Sequence, residues 1–184
     1  MQPREGAAVR VVVSGATSSS GNGTVAAVFA RAVREAGLGI DRVEVVDAGA
    51  TLDGMRTAST AGAARYVVVA APNNAALAAA FAMVKAIETR HPGARIEVLV
   101  TGQDESRAHA AYLRVRAAAE RFLRRDVGFA GAFTDLDAAP EDESLSDSST
   151  RRATRADRTA RMWAARLLAE CSEDAWHDAA HSMN

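Results

Sequence analysis

Short valine-rich runs that alternate with helical segments are the feature that most constrains the fold of this chain. The runs lack the alternation of polar and apolar residues that marks a strand with one solvent-exposed face. The predicted strands are residues 9–13, 43–46, 66–70, 96–100 and 127–133. Strands of this kind, separated by helices, predict a doubly wound α/β fold with a mostly parallel sheet and helices on both faces.

Helices are predicted after each of these strands, because apolar residues recur there at helical spacing. The predicted helices are residues 24–36, 52–61, 75–89, 105–124 and 151–170. In the fourth of them, Tyr112, Val115 and Phe122 share one face and are expected to point into the core.

The length of 184 residues suits one domain with a core of its own. Residues 1–137 are predicted to form this α/β domain. Residues 138–150 are rich in Asp, Glu and Ser, which predicts an acidic flexible loop. The C-terminal helix, residues 151–171, packs on the same domain or projects from it, and residues 172–184 form a tail.

Composition excludes several classes of protein. The net charge is −1, so no overall field attracts the chain to nucleic acid or to anionic lipid. Cys171 is the single cysteine, which excludes a disulfide framework and indicates a reducing compartment. The first apolar run, residues 9–13, is too short for a signal peptide or a membrane span. We therefore expect a cytoplasmic protein without a strong membrane anchor.

A segment of small residues joins the first strand to the first helix. The backbone N–H groups of such a loop, together with the N-terminus of the helix, form a cradle for an anion such as phosphate. A tight turn that binds nothing would have the same composition. The candidate residues for nucleotide or anion binding are Gly15, Ser18, Ser19, Ser20, Gly21, Asn22, Gly23 and Thr24.

The loop lacks the two residues that a P-loop needs for hydrolysis. In a working P-loop a lysine reaches the β- and γ-phosphates and a Ser or Thr hydroxyl binds Mg²⁺. Asn22 and Gly23 occupy these positions here, and Thr24 would bind the metal only in a shifted register. The single lysine of the chain, Lys85, lies in the middle of a different predicted helix. Hydrolysis would therefore lack its main electrostatic stabilisation, and weak binding of ATP and Mg²⁺ is the alternative.

Motifs in a fixed order follow the first helix. Residues 41–50 contain a strand ending in Asp-Ala-Gly-Ala, residues 64–77 a strand and a Pro-Asn-Asn turn, and residues 81–86 the string Phe-Ala-Met-Val-Lys-Ala. In order and spacing they resemble the MinD/ParA superfamily of deviant Walker A ATPases, in particular its flagellar-number branch, FlhG or FleN. The resemblance implies a three-layer P-loop NTPase-like fold, shortened relative to the family, in which Lys85 has its own counterpart on a helix.

Departures from the family pattern concern the nucleotide site. Thr17 and Asn22 stand where the family has its two loop lysines, and Thr101 stands where it has the asparagine that contacts adenine. The long segment that carries the family's switch aspartates is almost absent. Asp47 keeps a family position, although a solvent-facing carboxylate at a strand end explains it equally well. The resemblance thus implies a pseudo-ATPase that regulates or scaffolds flagellar or related secretion-system assembly.

The resemblance also implies protein partners rather than nucleic acid. They would be components of the flagellar or secretion apparatus, a paralogous ATPase, or a second copy in a homodimer. Trp163, Leu167 and Leu168 of the C-terminal helix are one candidate surface for such a partner. Packing of this helix on the sheet is the alternative.

A Rossmann-type dinucleotide site is a rival interpretation. Asp47 ends the second strand roughly where a ribose-binding acid belongs, and Tyr112 with Arg116 resembles the catalytic pair of short-chain dehydrogenases. The spacing of the glycines does not fit, and Arg116 cannot replace a proton-relay lysine. No catalytic residue and no metal site is predicted, because His177 and His181 have no third ligand nearby.

Overall fold

Strands and helices alternate along the whole described part of the chain. The computed structural model describes residues 9–18, 21–36, 43–58, 64–102, 104–133 and 157–170. The elements, in chain order, are β1 (Val9–Gly15), α1 (Asn22–Glu35), β2 (Val43–Asp47), α2 (Leu52–Ala58), β3 (Ala64–Ala70), α3 (Asn74–Arg90), β4 (Arg95–Thr101), α4 (Glu105–Leu123), β5 (Gly128–Phe133) and α5 (157–170).

The five strands form one sheet in the order β2-β1-β3-β4-β5, and every pairing is parallel. The chain moves in one direction from β1 to β2 and in the opposite direction for all later crossovers. Crossovers of the same hand put their helices on opposite faces when the direction reverses. The reversal makes the crevice between the carboxyl ends of β1 and β3 the topological switch point of the sheet.

Two hydrophobic clusters cover the two faces of the sheet. One face packs against α2, α3 and α4 through residues such as Met55, Val84 and Val115. The other packs against α1 and α5 through residues such as Phe29 and Trp163. The predicted α/β class, with a parallel sheet between helical layers, is therefore confirmed.

The central strands explain why the sequence showed no alternation. In β1, Val11, Val12 and Val13 are all 0 % exposed, because helices cover both of their faces. The edge strand β2 is less buried, and its last residue, Asp47, is exposed. Because β1 lies between β2 and β3, the segment that follows it lies at the carboxyl edge of the sheet between the ends of these two strands.

α5 packs on the sheet beside α1. Trp163 stacks on Phe29 with ring centroids 4.1 Å apart and an interplanar angle of 7°. Glu97 of β4 accepts hydrogen bonds from Trp163 Nε1 at 2.7 Å and from Arg166 Nη2 at 2.6 Å. Leu167 is buried as well. Trp163 and Leu167 are therefore core residues, and the helix does not present them to a partner.

Phe122 was expected in the core, and this prediction is wrong. Its side chain is 67 % exposed. It belongs to the last turn of α4, where its ring meets Phe81 of α3 with centroids 6.1 Å apart. Helical spacing predicted that Phe122 points at the sheet. In the last turn of α4 its side chain instead lies beside α3, where most of it remains exposed.

Several predicted segments lie wholly or partly outside the described residues. They are the acidic loop 138–150, the tail 172–184 with His177 and His181, residues 151–156 of the predicted C-terminal helix, and Cys171. No helix within the described ranges combines the length and apolar composition needed to cross a bilayer.

Candidate functional site

The segment after β1 lies at the switch point, where open α/β sheets bind their ligands. Its first amides are held by the neighbouring strands. The N–H of Gly15 donates to the carbonyl of Gly49 after β2 at 2.9 Å, and the N–H of Ala16 donates to the carbonyl of Val69 in β3 at 2.7 Å. Ser14 Oγ donates to the same Gly49 carbonyl at 3.0 Å. These bonds fix where the loop leaves the sheet.

α1 begins at Asn22, two residues earlier than predicted. Gly21 precedes it in the left-handed conformation, with φ 69° and ψ 25°, which favours glycine. Having no side chain, Gly21 gives the first turn of α1 no side-chain cap. Asn22 and Gly23 therefore belong to the first helical turn, where a P-loop carries its lysine and its metal-binding hydroxyl.

Asn22 is turned inward and is bound to the neighbouring strand. Its residue is 9 % exposed, and its Nδ2 donates to Asp47 Oδ1 at 2.6 Å. Its Oδ1 lies so close to the backbone of Gly15 that a Cβ at that position would approach it to 2.7 Å. Gly15 is thus required by this close approach, and the amide occupies the space next to the loop backbone.

Asp47 forms the other half of this contact. The same Oδ1 also accepts a hydrogen bond from the N–H of Gly49 at 2.9 Å. Its Oδ2 faces the first turn of α1, where a Cβ at Gly23 would lie 3.2 Å away. The residue is exposed at the strand end, as one interpretation of the sequence expected, and it is also tied to α1 through Asn22.

The other candidate residues of the loop are at the surface or are not described. Ser18, Gly23 and Thr24 are exposed, whereas Ser19 and Ser20 lie outside the described residues. Thr101, at the end of β4, is 7 % exposed.

Lys85 is far from the loop in the fold. α3 starts at the carboxyl edge of the sheet, where Asn73 caps it by accepting a hydrogen bond from the N–H of Ala76 at 2.8 Å. Lys85 is exposed on this helix, eleven residues beyond its first residue, or roughly 16 Å along the axis. Because it is the only lysine of the chain, no lysine reaches the loop.

The pair that resembled a dehydrogenase site lies at the opposite edge of the sheet. The Tyr112 hydroxyl donates to the carbonyl of Val127, just before β5, at 2.8 Å. Burial raises the pKa of Tyr112 above its ordinary value, the opposite of what a proton relay needs. Arg116 pairs with Glu120 and Asp126. Neither residue can act with the loop after β1.

The Asn22–Asp47 contact is the feature that sequence analysis missed. Both residues were singled out, but nothing in the sequence said that they meet. The register of the sheet brings them together, since β2 pairs with β1 so that Asp47 lies opposite Val13. Within the described ranges, no three His, Cys, Asp or Glu side chains converge in a way that could hold a metal ion.

Comparison with known proteins adds no family to this picture. No protein-family model matches the chain. No curated protein sequence is significantly similar to it.

Proposed function

We propose that this protein is a degenerate MinD/FlhG-like protein that does not hydrolyse ATP and works as a regulator or scaffold through protein partners. The process would be the assembly or positioning of a flagellum or a related secretion system. The observation that carries the pseudo-ATPase part is the bond between Asn22 Nδ2 and Asp47 Oδ1 at the position of the P-loop lysine.

Charge explains why this bond argues against hydrolysis. A transferring phosphoryl group needs a cation aimed at its oxygens, and a P-loop lysine supplies it. Asn22 is neutral, and its donor is directed at Asp47 instead of the loop. A phosphate in the cradle would therefore meet the field of a carboxylate with no ammonium to offset it.

Metal binding is weakened in the same turn. Gly23 has no hydroxyl, and Thr24, the next hydroxyl, is exposed one position further along the helix. Weak binding of ATP is the second candidate, favoured by the uncapped first turn of α1, whose N–H groups attract anions. A dehydrogenase is not favoured, because Tyr112 lies at the other edge of the sheet and only Asp47, already bonded to Asn22, remains at the loop.

Calorimetric titration with ATP, with and without Mg²⁺, and with NADH tests the pseudo-ATPase part. We expect no saturable binding in the micromolar range and no release of phosphate. The Asn22→Lys/Gly23→Thr variant is the matched comparison, because it restores the two lost side chains in the same helical turn. Micromolar binding with turnover by the unmodified chain would overturn the proposal, and a shift with NADH alone would favour the dinucleotide fold.

The flagellar part of the proposal rests on the motif order of residues 41–86 and is tested separately. Deletion of the gene in its native host should change the number or position of flagella or secretion complexes. The strain is then complemented with the Asn22→Lys/Gly23→Thr variant or with the unmodified gene. Wild-type appendages in the deletion strain would remove this part of the proposal and leave the pseudo-ATPase part standing.

A further inference from the structure

α3 and α4 pack side by side on the face of the sheet opposite to α1 and α5. We call the seam between their outer sides the α3/α4 groove; its residues are Phe81, Lys85, Arg114, Ala118, Arg121 and Phe122. Phe81 and Phe122 face each other across it, with their rings inclined at 61°. Phe81 is half-buried, and Phe122 is 67 % exposed. The groove thus presents aromatic surface to solvent.

Three cations border this aromatic surface. Lys85 follows Phe81 by one helical turn of α3. On α4, Arg114 contacts Asn74 of α3, and Arg121 lies seven residues further on, on the same side of the helix. The guanidinium of Arg121 lies over the Phe122 ring at 5.3 Å. Arg114 Nη2 donates to the neutral side chain of Asn74 at 3.0 Å. A cluster of one sign beside apolar surface favours a ligand of the opposite sign.

These cations differ from the arginine on the other side of α4. Arg116 is paired with both Glu120 and Asp126. In the described part of the chain, no carboxylate lies within ion-pair distance of Lys85, Arg114 or Arg121. Aromatic residues and arginine are the types enriched at protein interfaces. The groove therefore combines the two features of a docking surface, whereas an exposed aromatic by itself would carry no such meaning.

The spacing of the charges indicates the shape of the ligand. Arg114 and Arg121 are seven residues apart, or about 10 Å along the axis, with Ala118 between them. Acidic residues at i and i+7 of a second helix would match this spacing. An apolar residue between them would reach the small side chain of Ala118 and the ring of Phe122, as in helix-in-groove recognition.

We propose that the α3/α4 groove binds a helix of a partner protein that carries acidic residues beside an apolar stripe. A second copy of this chain is a poor occupant through the same surface, because the three cations would face three more. An anionic membrane is a poor occupant too, because the groove has only two large apolar side chains, Phe81 and Phe122, to insert among lipid chains, and the net charge of the chain is −1. The proposal deepens the proposed function, on which it rests only for the existence of a protein partner.

The test uses the full chain and a synthetic helical peptide. The peptide carries leucine at i, i+3 and i+7 with glutamate on both sides of this stripe, and its control has every glutamate replaced by lysine. We expect saturable binding of the acidic peptide alone, with amide chemical-shift changes confined to α3 and α4. Affinity should fall about tenfold in Phe122→Ala and at least tenfold in Arg114→Glu/Arg121→Glu, the size of effect seen for central interface residues.

Two matched substitutions control for unspecific effects. Leu113→Ala removes an apolar side chain that is 43 % exposed on another face of α4. Arg34→Glu reverses an exposed charge in the last turn of α1, on the far side of the sheet. Both should bind the acidic peptide as the unmodified chain does. All four variants change exposed side chains, and circular dichroism should show that they are folded.

Several results would overturn the proposal. They are absence of saturable binding, equal binding of the lysine peptide, unchanged affinity in the groove variants, and tighter binding to phosphatidylserine vesicles than to the peptide. Binding that appears only after Glu141, Asp142 and Glu143 are neutralised would assign the groove to the chain's own acidic segment and would overturn it as well. Titration of the same samples with ATP–Mg²⁺ tests the pseudo-ATPase proposal independently, so the failure of one proposal can be told from the failure of the other.

Discussion

The substitution Asn22→Asp probes the contact on which the functional argument depends. In the native chain Asn22 Nδ2 donates to Asp47 Oδ1 at 2.6 Å, and the Asn22 residue is 9 % exposed. A hydrogen bond to a charged group contributes about 1.5–3 kcal/mol. The substitution removes this bond and places a second carboxylate against the first.

Repulsion between the two carboxylates adds to the loss. Two charges about 4 Å apart interact by roughly 1 kcal/mol in water and roughly 4 kcal/mol near a protein surface. Asp47 is exposed, so the repulsion should lie in the lower half of this range. We therefore expect the free energy of unfolding to fall by about 3–5 kcal/mol at neutral pH, a large part of the stability of a small domain.

The dependence on pH gives the prediction its sign. In the variant, folding forces two carboxylates together, so the folded state binds a proton more readily than the unfolded state. Because uptake of one proton changes stability by at most about 1.4 kcal/mol per pH unit, the deficit relative to the native chain should be full only near neutral pH and above. It should shrink as the pH falls from about 7 and disappear at about pH 4, where one proton is shared by the pair. Urea denaturation at several pH values, followed by tryptophan fluorescence, measures this difference.

Two further variants separate the loss of the hydrogen bond from the repulsion between the carboxylates. Asn22→Ala loses the bond without the repulsion and should cost about 1.5–3 kcal/mol. Asn22→Asp/Asp47→Asn rebuilds an amide–carboxylate pair with the roles exchanged and should recover most of the stability. Two results would contradict the assigned bond: Asn22→Asp is as stable as the native chain at neutral pH, or its loss of stability grows on acidification. In either case Asn22 does not donate to Asp47 in the folded protein.

The remaining predictions concern the packing around the sheet. Trp163→Phe keeps most of the stack on Phe29 but removes the donor to the Glu97 carboxylate, so urea denaturation should show a loss of about 1.5–3 kcal/mol. Met162→Leu, on the exposed side of α5, should change little. Gly131→Ala should cost about 1–3 kcal/mol, because φ is 127° and the new Cβ would overlap Thr159 Cγ2; Thr159→Ser should recover part of this loss by removing that methyl group. Burial raises the pKa of Tyr112, so ultraviolet titration should show its phenol ionising above the ordinary value. The free energy of unfolding should decline as the pH rises beyond that ordinary value. If the native chain shows no ionisation of a phenol above it, or if the same ionisation persists in Tyr112→Phe, the raised pKa does not belong to Tyr112.

Sequence patterns were sufficient for the architecture, because they report local physics. A run of three valines without polar alternation predicts a strand that is buried on both faces, and β1 is such a strand. Both ends of α1, α3 and α4 were predicted to within two residues, since apolar spacing and the Asn73 cap depend on near neighbours alone. Phe122 was predicted wrongly because helical spacing gives the side of the helix on which a residue lies but not the element that packs against that side.

The missing lysine at the loop is determined by the sequence alone, because composition is independent of folding and Lys85 is the only lysine present. What stands in its place was decided by the tertiary structure. Asn22 and Asp47 are separated by 25 positions, and only the pairing of β2 with β1 brings their side chains within 2.6 Å. The same holds for Phe81 and Phe122, which meet because α3 and α4 pack side by side on one face of the sheet. Contacts between distant segments depend on strand order and register, and these are properties of the whole fold.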